Sequence, residues 1–550
     1  MRKLIAFLML TLVTSFPAQA RDLLKIGISG YPETLHPAFS SSAVQSYIHG
    51  FVLRPVTAFD HDWKIACFMC ADVPSFENGL AKRVALADGG EGVELTFTLP
   101  ANAKWGDGVP LTSRDVAFSI TVGQHPDVPV ANQEVFNRIV GFESVDDQTF
   151  KVTMDRIDYT YQSFGGVEIL PEHLERPVFE QDPATYQKRS LYVTAPATPG
   201  LWFGPYIVSD VVTASAVMLD SNPYWWGQKP DIAKIQLRNF ENTTALEASL
   251  RTGEIDYASG ETGMALDKVI AFERRFTNLY DISYQKGLSY YHLDANQAFP
   301  PLDDRRVRQA LLLAIDRTEI STKLFAGKNT PTLSFIHPDD PVFTPDVARY
   351  DFNPEQAGRL LDDAGWTRTD DRPRTNADGD VLRLTLYGAT ESSTGQLIQQ
   401  VLQNRWKQIG VEVDILNQPA RVLFGETLPQ RKFDGLAIFG WLSAPEHLPL
   451  TILRSDQVPT ADNLYEGQNY TGYTNPRVDE LIDAIELELD FDKRLPLWHE
   501  LQKIYAQDLP ALPLYHGENG FIFPKWLKGI RPTGHMYPSS LWAEEWYIIR

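Results

Sequence analysis

The sequence predicts an α/β protein built as two lobes. Three observations lead there. Strand-like and helix-like segments alternate along most of the chain, the pattern of α/β architecture. The stretch 285–325 divides that series in two, and the run LPALPLY at 509–515 returns the chain toward the first part. The chain has 550 residues, enough after removal of a leader for about three ordinary domains with sizeable cores.

Residues 1–20 read as a secretory signal. Arg2 and Lys3 give a charged start, 4–13 an apolar run, and Ala18-Gln19-Ala20 a small-residue cleavage motif, so the mature chain is expected to begin at Arg21. The apolar run is too short to span a bilayer and no later stretch reaches about twenty apolar residues, so a soluble exported protein is expected. No cysteine lies near the cleavage motif, which favours a free periplasmic protein over a lipid-anchored one. The formal net charge of −21 becomes −23 once Arg2 and Lys3 are removed. A nucleic-acid footprint needs clustered Lys and Arg, so no nucleic-acid partner is expected. The two cysteines, Cys67 and Cys70, stand in CFMC. Zinc would need two further ligands and His61, the nearest histidine, forms no matching pair. A local disulfide or two buried thiols is the plain reading in an oxidising compartment, with redox catalysis as the alternative.

LLKIGI at 23–28 reads as a buried strand, and the prolines of SGYPETLHPAF end it in a loop. Residues 40–53 read as a helix. ELTFTL at 94–99 alternates like a half-buried strand. Thr112-Ser113-Arg114-Asp115 has the form of a capping box with Asp in place of Glu, so a helix starts near Ser113. A second alternating strand covers 148–154, and 192–204 reads as a loop between subdomains. Two strand-like runs follow in 204–226, then a strand at 232–238, a helix capped by Asn242 and closed by Gly253, and the acidic GEIDY.

Within 285–325, the aromatic-rich 288–293 suits a strand, and Phe299-Pro300-Pro301 excludes regular structure. One helix is expected next, capped by Asp303 or Asp304, burying Val307, Ala310, Leu311, Ala314 and Ile315, and stopped by Gly327. Asn353-Pro354 starts a helix that runs to Gly365. NADG at 376–379 is expected as a hairpin turn, since a calcium-loop frame would put Arg374 at its first ligand position. Leu397, Val401, Trp406 and Ile409 mark a helical face ended by Gly410. An alternating VEVDI strand follows, and FDGLAIFGW at 433–441 is a more buried strand. Asn475-Pro476 starts a further helix and 492–506 forms another.

Eight blocks together resemble the family of extracytoplasmic solute-binding proteins that serve peptide and nickel ABC importers. They are YPETLHP, WGDGVPLTSRDVAFS, GPYIV with LDSNPYWW, GEIDY, RVRQALLLAIDR, YDFNPEQAGRLLDDAGW, FGW and DLPALPLY, in the family's order and over nearly all of the mature chain. The resemblance implies an α/β, two-lobed periplasmic binding protein fold (type II, cluster C) with an extra subdomain inserted in the first lobe. The first lobe is then expected at 21–52, 199–287 and 511–550, the inserted subdomain at 53–198 and the second lobe at 288–510. Hinge strands near 285–293 and 509–514 would let the lobes close on a ligand. The implied function is a periplasmic receptor, expected as a monomer, that captures peptides or peptide-like solutes and delivers them to the inner-membrane permease of an ABC importer. Oligosaccharide, opine or chelated nickel is the alternative ligand. No cofactor and no metal site is implied.

The resemblance also places the strand 433–441 at the cleft, with Gly440, Trp441, Leu442 and Ser443 against the ligand. A strand edge there can pair with an extended peptide backbone, and Trp441 offers a flat apolar wall; core packing is the other reading of Trp441. Peptide binders of the family commonly carry an aspartate three residues after that tryptophan, to pair with the peptide's amino terminus. Here the position is Ala444. A buried ammonium left unpaired costs roughly 3–5 kcal/mol, so the usual anchor is missing. Glu446 could substitute for it, and His447 could bind a carboxylate or a metal. Tyr31, Glu33 and Thr34 of the first proline loop, and Tyr515 and His516 of the returning strand, are expected at the cleft as well. An exported hydrolase is the alternative from a different class. Against it, His499-Glu500-Leu501-Gln502-Lys503 has a lysine where H-E-x-x-H needs its second histidine, and neither G-x-S-x-G nor G-x-x-x-x-G-K-[ST] occurs.

Overall fold

A computed structural model describes residues 22–549 except 41 and 464, so the expected signal segment 1–20 lies outside the described residues. Eleven strands form one sheet that passes through both lobes. At its centre the strand Tyr280–Ala295 pairs antiparallel with the returning strand Ala511–Pro524. Residues 280–286 pair with 518–524 on the first-lobe side, and 289–294 pair with 511–517 on the second-lobe side. The register slips between Lys286 and Ser289. Gly287 and Gly517 sit at the slip, where a Cβ on either would come within 2.9 Å of a neighbouring atom.

The first-lobe side of the sheet continues through Tyr257–Ala258, Leu23–Ser29, Lys234–Phe240, Ala216–Ser221 and Tyr206–Val212. Leu23–Ser29 has parallel neighbours on both edges, and Leu24, Ile26 and Ile28 are all buried. That environment is why LLKIGI is so continuously apolar. The second-lobe side continues through Gly435–Trp441, Arg383–Ala389 and Glu412–Gln418.

Within 53–198 a separate antiparallel sheet is made by Ala81–Ala85, Glu91–Thr98, Thr149–Met154 and Ile139–Ser144. Its apolar face, with Val93, Leu95, Phe97, Phe150 and Val152, shares one core with Leu24, Ile26, Phe51 and the fully buried Trp105. The helix Ser113–Gly123 begins at the expected capping box, in which the Thr112 amide donates to Asp115 at 2.8 Å. In the second lobe, Pro476–Leu487 and Phe491–Asp508 pack together with Ile336, Val342, Leu448 and Leu453 in a core of their own.

Three expectations about the dividing stretch change. The strand is sixteen residues long rather than six, because it serves both lobes in turn. Pro300 and Pro301 open a short helical turn, Pro300–Asp303, where a first-turn amide has no intrahelical acceptor to lose. The single helix is two, Arg305–Leu313 capped by Asp304 and Arg317–Phe325 capped by Asp316. Arg317 explains the break, since its buried guanidinium donates to the carbonyls of Thr332 at 2.5 Å and Tyr350 at 2.9 Å. Cys67 and Cys70 are joined in a disulfide, with Cα atoms 5.1 Å apart.

Candidate functional site

Loops from both lobes meet over the central strands and enclose two adjoining cavities. The larger, of about 430 Å³, lies between the lobes: His49, Tyr159, Glu168 and Tyr537 on one side face the segment Ala444, Pro445, Glu446 and His447 on the other. The smaller, of about 260 Å³, is lined by Tyr290, Phe335, Asp340, Trp441, Ser443 and His516 among others. Ala444 and His447 line both. Volumes of this order suit a small ligand.

Sheet register decides which side chains reach the cavities. Tyr290 stands opposite Trp441 on one neighbouring strand and opposite His516 on the other. Successive residues of a strand point to opposite faces, and all three of this row line the smaller cavity. The next row, Gly440, Tyr291 and Tyr515, points away. Tyr515 stacks on Tyr291 at 5.0 Å and meets Phe325 at 5.2 Å, inside the second-lobe core. A Cβ at Gly440 would meet the Tyr291 ring at 3.0 Å, so glycine there makes room for that ring and lines neither cavity.

Trp441 is half-buried, with its ring 5.4 Å from Phe439 and 6.3 Å from Tyr470. Core packing and cavity wall are thus two sides of one residue. Leu442 and Ser443 line the smaller cavity. Tyr31, Glu33 and Thr34 line neither. Tyr31 leans on the first-lobe core, Glu33 is exposed, and the Thr34 hydroxyl accepts from the His36 amide at 3.0 Å. It is Pro37, Ala38 and Ser40, later in the same loop, that reach the larger cavity.

Glu446 does not offer a free carboxylate. Its side chain pairs with Arg494 at 3.1 Å, its amide donates to Asp340 at 2.9 Å, and its carbonyl accepts from the Tyr159 hydroxyl at 2.5 Å. These bonds hold it at a φ of +51°. The Arg494 guanidinium also lies 4.5 Å from the centre of the Tyr159 ring. A ligand ammonium at Glu446, the expected replacement for the missing aspartate, would have to share a carboxylate already paired with Arg494.

The histidines at the site are held neutral. Burial lowers His447 from its usual range, and burial with neighbouring His337 pushes His516 down to about 3. A neutral His447 is a weak partner for a carboxylate. The carboxyls move the other way: burial pushes Asp340 up to about 6 and Glu168 up to about 7. Asp340 accepts from the amides of Val342 and Glu446 at 3.1 and 2.9 Å, so it braces the loop that carries Ala444. Beneath the site, the Tyr290 hydroxyl meets that of Tyr505 at 2.7 Å and His292 pairs with Asp294 at 3.2 Å.

Among the described residues no group of three or more His, Cys, Asp or Glu is arranged to hold a metal ion. Neither His499 nor Glu500 lines either cavity, and Glu500 pairs with Arg477 at 2.8 Å across two helices. Glu168, Tyr159, Phe335, Asp340 and Tyr537 escaped the sequence reading. They come from loops without periodicity, and the one available signal was a lone carboxylate inside the apolar run GGVEIL.

The family model for bacterial extracellular solute-binding proteins, family 5, matches residues 76–453. The oligopeptide-binding protein AppA of Bacillus subtilis is 22% identical over 547 residues, covering 97% of this chain and 93% of that protein. The oligopeptide-binding protein OppA of Mycobacterium tuberculosis is 27% identical over 434 residues, covering 76% of this chain and 68% of that protein. Among solved structures, the oligopeptide-binding protein of Thermus thermophilus complexed with a pentapeptide superposes with a TM-score of 0.79 at 26% identity, over 96% of each chain. NikZ of Campylobacter jejuni in complex with Ni(L-His) superposes with a TM-score of 0.77 at 21% identity, over 96% of this chain and 99% of that one, a likeness of fold. No described helix is long and apolar enough to cross a membrane. With the match running across most of the inserted subdomain, the strand Tyr280–Ala295 and the strand that ends at Trp441, this chain belongs to the bacterial extracellular solute-binding proteins, family 5.

Proposed function

We propose that the protein is the periplasmic receptor of an ABC importer, that its ligand is a peptide or peptide-like solute, and that it binds this ligand without turning it over. The observation that carries the reading is a free strand edge beside the cavities. The ladder between Gly435–Trp441 and Arg383–Ala389 ends at Ala437, so among the described residues 438–441 have a strand partner only on the Tyr280–Ala295 side. A free edge can take an extended backbone by strand addition, which gives affinity with little demand on side-chain identity. Trp441 then forms a wall for one ligand side chain, and Leu442, Ser443, His447 and His516 complete the lining. Relatives named as oligopeptide-binding proteins support the ligand class.

Closure follows from the central pair of strands. Two glycines at one register slip leave the chain free to bend between the lobes, while each half-strand stays paired within its own lobe. Mass spectrometry of the molecule that co-purifies with the protein tests the ligand class. Calorimetry with that molecule should give one site per monomer and return it unchanged. Conversion of the recovered ligand would favour a hydrolase, and a recovered sugar, opine or metal chelate would replace the peptide reading.

A further inference from the structure

The resemblance places an amino-terminal anchor at the position of Ala444, and Ala444 lines the larger cavity without offering charge. Glu446 is spent on Arg494. Among the described residues that line this cavity, Glu168 is the acidic side chain left without hydrogen bond or ion pair. It is contributed by the first lobe, whereas residues 444–447 belong to the second.

Glu168 stands in an irregular segment between Gly165-Gly166 and the buried pair Ile169 and Leu170. The glycines thin the wall here, since a Cβ at Gly165 would come within 2.3 Å of the Tyr537 hydroxyl. Tyr537 lines the same cavity, where burial and, to a lesser degree, the nearby Glu168 carboxyl push its hydroxyl above the usual range. A carboxyl and a phenol oxygen therefore share one wall. A half-buried carboxylate with no partner in the protein is a costly group to keep unless something outside the chain pairs with it.

We propose that Glu168, assisted by the Tyr537 hydroxyl, binds a cationic amine of the ligand, and so moves the ammonium anchor from the second lobe to the first. The ligand class is then narrowed to amine-bearing solutes, foremost peptides with a free amino terminus. A neutral His447 on the facing loop is compatible with a cation in the cavity, where a protonated one would repel it. An anchor on the first lobe also leaves the free edge at residues 438–441 to bind the backbone alone, so that both lobes hold the ligand and favour closure.

This assignment builds on the peptide reading, and the experiment separates the two. Calorimetry on the unaltered protein and on Glu168→Gln uses two matched probe pairs. The first is a mixed-sequence pentapeptide pool with free or N-acetylated amino termini; the second is pentane-1,5-diamine or pentane-1,5-diol. The unaltered protein should prefer an amine over its neutral counterpart by roughly tenfold to a hundredfold, and Glu168→Gln should erase the preference. Tyr537→Phe, which keeps the carboxylate, should reduce it only in part, and a melting profile checks that each variant is folded. Amine preference confined to the diamine would sustain the Glu168 assignment and overturn the peptide reading. No preference for the amine in either probe pair, a preference that survives in Glu168→Gln, or no binding of any amine would overturn the Glu168 assignment.

Discussion

Replacing Glu446 by Gln is the sharpest way to separate a structural carboxylate from a ligand anchor. The substitution keeps the shape and removes the charge that faces Arg494, whose side chain is 7% exposed against 27% for Glu446. Removing one partner of a fully buried pair typically costs about 3–5 kcal/mol, because the other charge is left without compensation. Here the loss is smaller. Arg494 keeps the carbonyl of Glu488 at 2.8 Å and that of Leu489 at 3.2 Å, and it lies over the rings of Tyr159 and Phe491. A charge-assisted bond is worth about 1.5–3 kcal/mol, so the ligand-free protein should lose about 2 kcal/mol. Urea denaturation without ligand at pH 7 measures it, and a cycle with Arg494→Met isolates the pairwise share. Unchanged stability together with a loss of ligand affinity would refute the reasoning and return Glu446 to the role of anchor.

Three further outcomes are expected. Trp441→Ala should weaken ligand binding by about 1–3 kcal/mol, the worth of a lost aromatic wall, while the second-lobe core persists; calorimetry showing unchanged affinity would remove Trp441 from the site. Glu168 gives a pH dependence with a definite sign. Its folded value, near 7, lies above its ordinary 4.5, so the folded protein holds this proton more tightly than the unfolded chain does. Stability from this group is complete below about pH 4.5 and is lost as pH rises toward 7. Glu168→Gln should therefore raise stability at pH 8 by up to about 3 kcal/mol and change it little at pH 4, where the carboxyl is protonated in both states. Urea midpoints at the two pH values check this, and equal differences would contradict it. Replacing Cys67 and Cys70 together by Ser should cost roughly 2 kcal/mol or less, because their bridge closes a short loop and short loops restrict the unfolded chain least; a larger drop in the urea midpoint would show that the bridge also shapes the short strands Thr57–Phe59 and Ile65–Cys67.

Local chemistry was legible wherever it was settled by neighbours in sequence. Thr112 and Asp115 lie three residues apart, so a capping box can be read from four letters, and the structure forms it. Asn242 and Gly253 bound a helix for the same reason, one by its side-chain acceptor and the other by a φ of +72°. The split at Ala314 was not legible. Its cause is Arg317 reaching the carbonyls of Thr332 and Tyr350, partners fifteen and thirty-three residues away that helical periodicity does not register. The sequence shows only part of the strand Tyr280–Ala295 for a related reason. Its first half has a first-lobe partner and its second half a second-lobe partner, and only the aromatic second half advertised itself.

Strand alternation sorts the expected site residues. Gly440 and Trp441 are adjacent in one strand, as are Tyr515 and His516 in another, and adjacent strand residues face opposite ways. Only one of each pair can line a cavity on a given face. Choosing Trp441 as the wall already excludes Gly440, and the antiparallel register through Tyr290 then selects His516 over Tyr515. The same logic does not reach Glu168 or Asp340, which lie on irregular segments where no period links position to facing. What marks Glu168 is an energetic inconsistency, a charge placed without a partner between glycines and a buried apolar run, and such an inconsistency points to a ligand more directly than any motif in this chain.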